Sequence, residues 1–261
     1  MRAKGTTIWQ RGVRWLLPAL LLGILLGAWQ LAASSGALAS VLGLEGYLVA
    51  SPAEIASSLW ENRSLLAENA WVTLREVLLG FGIALVAGLA FAVLLHLSKT
   101  LRHATYPLLV ASQAIPILVV APILVVLFGY GIVPKLAIVT LVCFFPIAVT
   151  AADGLRAVDP DTIKLMRTLD ASRWQIFRRV ETPTALPYAF SGAKVAAAFA
   201  VIAAVFGEWA GSSSGLGHLV LQDNAQLETA RLFADVAVLM AISVALFGLL
   251  ALAERRVVTW R

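Results

Sequence analysis

The sequence predicts an all-α polytopic membrane protein with six transmembrane helices and both termini in the cytoplasm. Three observations carry that prediction. Of the 261 residues, 60% are hydrophobic and only 13% charged, against about 45–50% and about 25% in a soluble domain. The apolar residues form six continuous runs, not the alternating segments of about ten residues that build a membrane β-barrel. The basic residues gather between alternate runs.

A helix needs about 20 apolar residues to cross a bilayer core. The runs that come close to this lie at 15–33, 77–97, 107–128, 136–152, 187–207 and 236–253. With the N-terminus inside, the inner segments carry Arg2, Lys4, Arg11, Arg14, Lys99, Arg102, Arg156, Lys164, Arg167, Arg173, Arg178, Arg179, Arg255, Arg256 and Arg261, fifteen of the 20 basic residues. The outer side keeps Arg63, Arg75, Lys135 and Arg231. This is the positive-inside pattern, and it accounts for the net charge of +5 without any nucleic-acid partner. The first run is longer than the apolar core of a signal peptide, which has about 7–15 residues. The expectation is a retained first helix and one transmembrane domain over 1–261.

Two polar segments between the runs have structure of their own. "SPAE" at 51–54 reads as a capping box, with Ser51 as cap, Pro52 at the first helical position and Glu54 three residues on. It predicts an outer helix over 51–61. On the inner side, 159–182 opens with Asp159 as cap and Pro160 in the first turn. Ile163, Met166 and Leu169 then recur every third residue, with Lys164 and Arg167 on other faces, which makes a short amphipathic helix. Asp170 is its predicted stop, because Asp tolerates left-handed geometry. A second amphipathic piece follows, with Trp174 and Phe177 apolar. Its Arg173, Arg178 and Arg179 suit an anionic membrane surface.

The third run holds "ASQAIP" at 111–116 and then Pro122. Backbone groups freed by proline need partners, so this run should face protein or water and not lipid. A polar, broken helix at membrane depth is where solute pathways are built, and Ser112 and Gln113 are the candidates. Lys194 is the one charge inside a run, and a central lysine costs about 2.5–3.5 kcal/mol to insert. It lies two turns past Pro187, so its stem can snorkel to the inner interface, and a structural role is expected.

The sequence contains no GxxxxGK[ST], HExxH or GxSxG motif, and its single cysteine, Cys143, lies in an apolar run. Its three histidines are scattered, and Asp153 has no acidic company for holding a divalent metal. No catalytic residue, metal site or bound cofactor is therefore expected. A secondary transporter would show an internal repeat or an intramembrane acidic pair, and the sequence displays neither.

The segment from Lys164 to Pro183 resembles the cytoplasmic signature loop of ABC-importer permeases. That loop reads E-A-A, three residues, G, nine residues, I-x-L-P. The spacing fits without gaps, with Lys164, Leu165 and Met166 at E-A-A, Asp170 at G, and Val180 and Pro183 at I and P. "TLREVLLGFG" at 73–82, "IPILVVAPILVVLFGYG" at 115–131, "FFPI" at 144–147 and "GLRAVDPD" at 154–161 are similar to permeases of the nitrate, sulfonate and taurine group.

The resemblance implies the ABC type I importer permease fold in a bacterial inner membrane. It also implies a second permease chain, expected to be identical, two copies of an ATPase that uses ATP and Mg, and a periplasmic or lipid-anchored solute-binding protein. Asp161, Thr162, Ile163, Lys164, Leu165, Met166, Arg167, Thr168, Leu169, Asp170 and Ala171 would then couple to the ATPase. Ile163, Met166 and Leu169 would supply burial there, and Lys164 and Arg167 charge. "GEW" at 207–209, "GLGHL" and "NAQLETARLF" further on are similar to the branch that imports thiamine-precursor pyrimidines. Glu208 and Trp209 join Ser112 and Gln113 as expected pathway residues; Trp209 can serve as a surface on which an aromatic solute stacks, or as an interface-belt tryptophan, the reading its type favours.

Overall fold

The structure, a computed structural model, describes residues 8–43 and 45–260, without the side chains of 8–15, 42 and 47. Arg2, Lys4 and Arg261 of the inner basic set lie outside the described residues, as do the side chains of Arg11 and Arg14. The described chain is helical and contains no strand. It divides into two compact units, Met1–Ser64 with Gln222–Ala234 and Leu65–Leu221 with Asp235–Arg261.

The first unit holds α1 (Ile8–Ser34), α2 (Ala37–Leu42) and α3 (Pro52–Glu61). Along α1, Leu16, Leu17, Leu20, Leu21, Leu22, Ile24 and Leu25 are all more than half exposed, the surface expected of a helix that meets lipid. Near its end Gln30 accepts the Ala53 backbone N–H at 2.9 Å, which fastens the start of α3. The expected capping box is present. The Ser51 backbone N–H donates to Glu54 Oε2 at 2.7 Å, and the Glu54 N–H donates to Ser51 Oγ at 3.3 Å. The Ser51 hydroxyl also donates to Glu54 Oε2, at 2.9 Å, and donors to a carboxylate favour its ionised form, so the Ser51 backbone and then its hydroxyl hold the Glu54 carboxyl below its ordinary value of 4.5.

The second unit is built on three helices: α4 (Arg63–Leu97), which begins at the unit boundary, α7 (Ile132–Arg156) and α10 (Thr182–Gly211). α4 and α7 run parallel with a constant offset. Glu76 meets Lys135, a Cβ on Gly80 would strike Val139, and one on Gly88 would strike Ile147. α10 runs antiparallel to α7, with Gly192 against Thr150 and Gly154 against Tyr188. Its buried face is almost pure alanine: Ala193, Ala196, Ala197, Ala200, Ala203 and Ala204. Small residues let backbones approach closely where no hydrophobic effect separates helix from lipid. Cys143 lies in this seam and donates its thiol to the Ala196 carbonyl at 3.4 Å.

The parallel arrangement settles the third run. The chain leaves α4 at one end of the bundle and must begin α7 at the other, so the segment between crosses. It does so as α5 (Lys99–Ser112) and α6 (Ile117–Phe128), bent by 103°. The expected single span over 107–128 is thus two helices, parted at Pro116, which caps α6. A proline has no N–H to continue α5 and disfavours helix in the residue before it. With α1, α4, α7, α10 and α12 (Thr229–Val257), each long and apolar enough to cross, the described chain supports six crossings. Lys194 of α10 pairs with Glu254 of α12 at 2.7 Å, so its charge has a partner on a neighbouring helix.

Two predictions follow from these contacts. Gly192→Val forces a side chain onto Thr150 and the Pro146 carbonyl and should lower stability by about 1–3 kcal/mol. Gly82→Ala, which meets nothing within 4 Å, should leave the thermal midpoint in detergent unchanged. The depressed Glu54 value contributes stability that is present above pH 4.5 and is lost as pH falls through the folded value. Amide-exchange protection of α3 should therefore drop on acidification in the native chain and stay flat in Glu54→Gln.

Candidate functional site

The segment singled out by its charges folds as expected at both ends. α8 (Pro160–Thr168) is capped by Asp159, whose carboxylate accepts the Asp161 N–H at 2.9 Å. Lys164 bonds Asp161 at 2.8 Å along the exposed surface. The helix ends in a Schellman motif: the Ala171 N–H reaches the Met166 carbonyl at 3.0 Å and the Asp170 N–H reaches that of Arg167 at 3.1 Å. Asp170 takes the left-handed position, with φ 54°. This is the slot where the signature loop has glycine, and the backbone explains why both residues serve there.

The apolar residues of α8 divide differently from the expected ridge. Leu165 and Leu169 are 60% and 70% exposed, one turn apart on one face, whereas Ile163 and Met166 are half-buried. The open hydrophobic pair is therefore Leu165 and Leu169, flanked by exposed Arg167.

Beyond Asp170, Ser172 and Gln175 form a second capping box that starts the short α9 (Arg173–Ile176). A π-helical turn, Phe177–Glu181, joins it to α10. Glu181 is buried, and its carboxylate accepts a bond from His96 Nε2 at 2.9 Å.

Ser112 and Gln113 lie at the α5–α6 break and line a cavity of 370 Å³ with Ile115, Ile117, Val120, Leu141, Val142, Phe145, Pro146, Val195 and Phe199. The lining is apolar with two polar groups at one place and two phenyl rings, a composition suited to a small ring with a polar edge. The Ser112 hydroxyl donates to the Leu109 carbonyl at 2.7 Å.

Glu208 and Trp209 do not line this cavity. Glu208 is 1% exposed and its carboxylate fastens the segment 212–217, the loop after α10 together with the first residues of α11 (Leu216–Gln226). It accepts the Thr73 hydroxyl at 2.6 Å, the Gly217 N–H at 2.5 Å and the His218 N–H at 3.3 Å. Asn69 Oδ1 accepts the Gly215 N–H at 2.7 Å, and Thr73 Oγ1 accepts the Leu216 N–H at 2.9 Å. Lys135 joins the loop to α4, bonding Glu76 at 2.5 Å and Ser212 Oγ at 2.8 Å. Gly215, with φ +109°, and Gly217 admit no side chain here, because a Cβ would meet the Glu208 carboxyl. The Trp209 indole N–H donates to the Gly217 carbonyl at 2.8 Å.

Sequence reasoning missed this cluster. Lys135 was read as an outer-side loop charge but is 7% exposed at the start of α7. Glu76, which pairs with Lys135, is itself 2% exposed. The clue was positional: Glu76, Lys135 and Glu208 each abut an apolar run at the same predicted end. Among the described residues no group of three His, Cys, Asp or Glu could hold a metal ion.

Five described helices and one bent pair, each long and apolar enough to cross a bilayer, define a polytopic membrane protein. Residues 80–259 match the family described as the binding-protein-dependent transport system inner membrane component, and the chain belongs to that family of ABC-importer permeases. A Haemophilus influenzae protein named "Probable ABC transporter permease protein" is 37% identical over 90% of this chain and 94% of its own length. The formylaminopyrimidine transport permease protein ThiX of Halalkalibacterium halodurans is 32% identical over 97% and 98%. Among solved structures, a chain of the MetNI methionine ABC transporter in an inward-facing conformation superposes with a TM-score of 0.61 at 22% identity. It covers 76% of this chain and 97% of that one, which shows the ABC type I importer permease fold.

The Schellman ending of α8 generates a prediction. Asp170→Val places a β-branched residue in left-handed backbone at about 1–2 kcal/mol. Exchange at the Ala171 amide should then quicken by roughly 5–30-fold, while Asp170→Gly should leave it as protected as in the native chain.

Proposed function

We propose that this permease subunit carries a small pyrimidine of the thiamine-precursor class into the cytoplasm, and that α8 with its flanking residues 161–171 receives the ATPase. The observation that carries the coupling reading is the exposed Leu165–Leu169 pair on a short helix capped at both ends. Helix-in-groove docking uses apolar anchors at this spacing, and Arg167 adds charge beside them. The basic inner segments support an orientation with α8 and both termini in the cytoplasm. In that orientation the segment 212–217 faces the outside, toward a periplasmic or lipid-anchored binding protein.

The sequence holds no nucleotide-binding loop, so two ATPase copies supply the energy using ATP and Mg. A second copy of this chain completes the pathway. The pyrimidine rests on the likeness of the 207–236 segment, on a relative named for formylaminopyrimidine transport and on the cavity beside Ser112 and Gln113. Phe145 and Phe199 there offer rings to a flat solute.

Reconstitution of the permease with its ATPase and binding protein tests both halves. A hydroxymethylpyrimidine-type solute should stimulate ATP turnover, and the double variant Leu165→Asp with Leu169→Asp should abolish that stimulation while the permease still inserts. Stimulation by a sulfonate with none by the pyrimidine would overturn the solute. Full stimulation in the double variant would overturn the docking face.

A further inference from the structure

One end of α4 is tied to the segment that follows α8, and the tie is polar, buried and distant in sequence. His96, in the last turn of α4, reaches Glu181 at 2.9 Å, with side chains only 11% and 4% exposed. Removed from water, neither group has solvent to replace the other, so this bond is worth more than a surface pair and its loss leaves a polar group stranded.

Two further features sit at the same place. Glu181 closes the π-helical turn Phe177–Glu181, an irregularity frequent at functional sites. The His96 ring also lies 6.2 Å from Phe177, which stacks on Trp174 at 5.6 Å and 24°. Trp174 is itself 65% exposed, so an unbroken row of rings leads from the surface beside α8 to the end of α4.

The other end of α4 is held as firmly. Asn69 and Thr73 grip the segment 212–217, and Thr73 bonds Glu208. Between Thr73 and His96 the helix is continuous and spans roughly 35 Å at 1.5 Å per residue. α4 is a rod anchored by polar contacts at both ends.

We propose that the His96–Glu181 pair is the positioning link through which displacement of the α8–α9 segment is passed to α4, and so to the loop held by Asn69, Thr73 and Glu208. This rests on the reading that α8 receives the ATPase. Neither residue touches solute or nucleotide; each acts by making α4 move with α10's entry turn. Without the pair the ATPase can still close, but its closure no longer drives the pathway, and ATP is consumed without transport.

The test measures ATP hydrolysed per solute imported, in proteoliposomes of the assembled transporter with its binding protein. His96→Ala and Glu181→Ala should each raise that ratio by roughly threefold or more, and the double variant should be no worse than the worse single one. His96→Gln, which keeps a donor toward Glu181, should restore most of the native ratio. A role in folding alone would lower the amount of assembled complex and leave the ratio unchanged. Where an alanine variant fails to assemble, Glu181→Gln takes its place, keeping the shape and weakening the bond. Leu165→Asp separates the two readings. A native ratio in the His96 and Glu181 variants beside an uncoupled Leu165→Asp overturns the link alone. A Leu165→Asp transporter that couples normally overturns the docking reading and the link with it.

Discussion

Lys135 opens α7 with its ammonium 2.5 Å from Glu76 and 2.8 Å from Ser212, and the second unit is arranged around that contact. Water is scarce at this depth, so a charge that enters must find its partner within the protein. Once Lys135 meets Glu76, the register of α4 against α7 is set. Gly80 and Gly88 then fall where Val139 and Ile147 come closest. A helix slipped by one turn would keep its apolar surface but strand an ammonium and a carboxylate. Apolar packing alone discriminates poorly between such registers, because lipid tails are as apolar as the side chains they replace.

The same constraint recurs wherever polar groups enter the bundle. Lys194 finds Glu254, His96 finds Glu181, and Thr73 with Asn69 and Glu208 satisfies the amides of a loop that could not otherwise be buried. Each joins residues far apart in sequence, and each has at least one member near an end of a crossing helix. The middle of the bundle is left to alanine, glycine and branched aliphatics. Such a division suits a protein whose helices tilt as units: specific links at the ends carry load, and smooth close-packed surfaces lie between them.

Much of the fold was legible because it is local. The apolar runs announce their own length, "SPAE" announces the start of α3, and Asp159, Pro160 and Asp170 announce both ends of α8, each through backbone chemistry within four residues. What was not legible is pairwise. Lys135 next to a short loop looks like any outer-side lysine until Glu76, on another helix, is brought opposite it. Glu208 enters the expected pathway only through the likeness of "GEW" at 207–209 to the pyrimidine branch. In the fold its lone pairs are taken by a hydroxyl and two amides. The amphipathic period of α8 was right, yet three-residue spacing pointed to Ile163, Met166 and Leu169, while the chain half-buries the first two and leaves Leu165 and Leu169 open.

The break at Pro116 shows how a local rule and a global one combine. Locally, a proline without an N–H explains why α5 stops and α6 starts afresh. It does not explain why the two meet at 103° instead of continuing as a kinked rod. That follows from α4 and α7 being parallel: the connection must rise the full height of the bundle, and a bent pair can do so while placing its bend beside α7 and α10. The bend opens the cavity that Ser112 and Gln113 line with Phe145 of α7 and Phe199 of α10. Since α7 is in register with α4, and α4 is tied at His96 to the turn that follows α8, movement of the α8–α9 segment and the shape of that cavity are set by the same three helices. A change in the α4–α7 register would alter both together, which is the mechanical requirement for a pathway that opens to one side at a time.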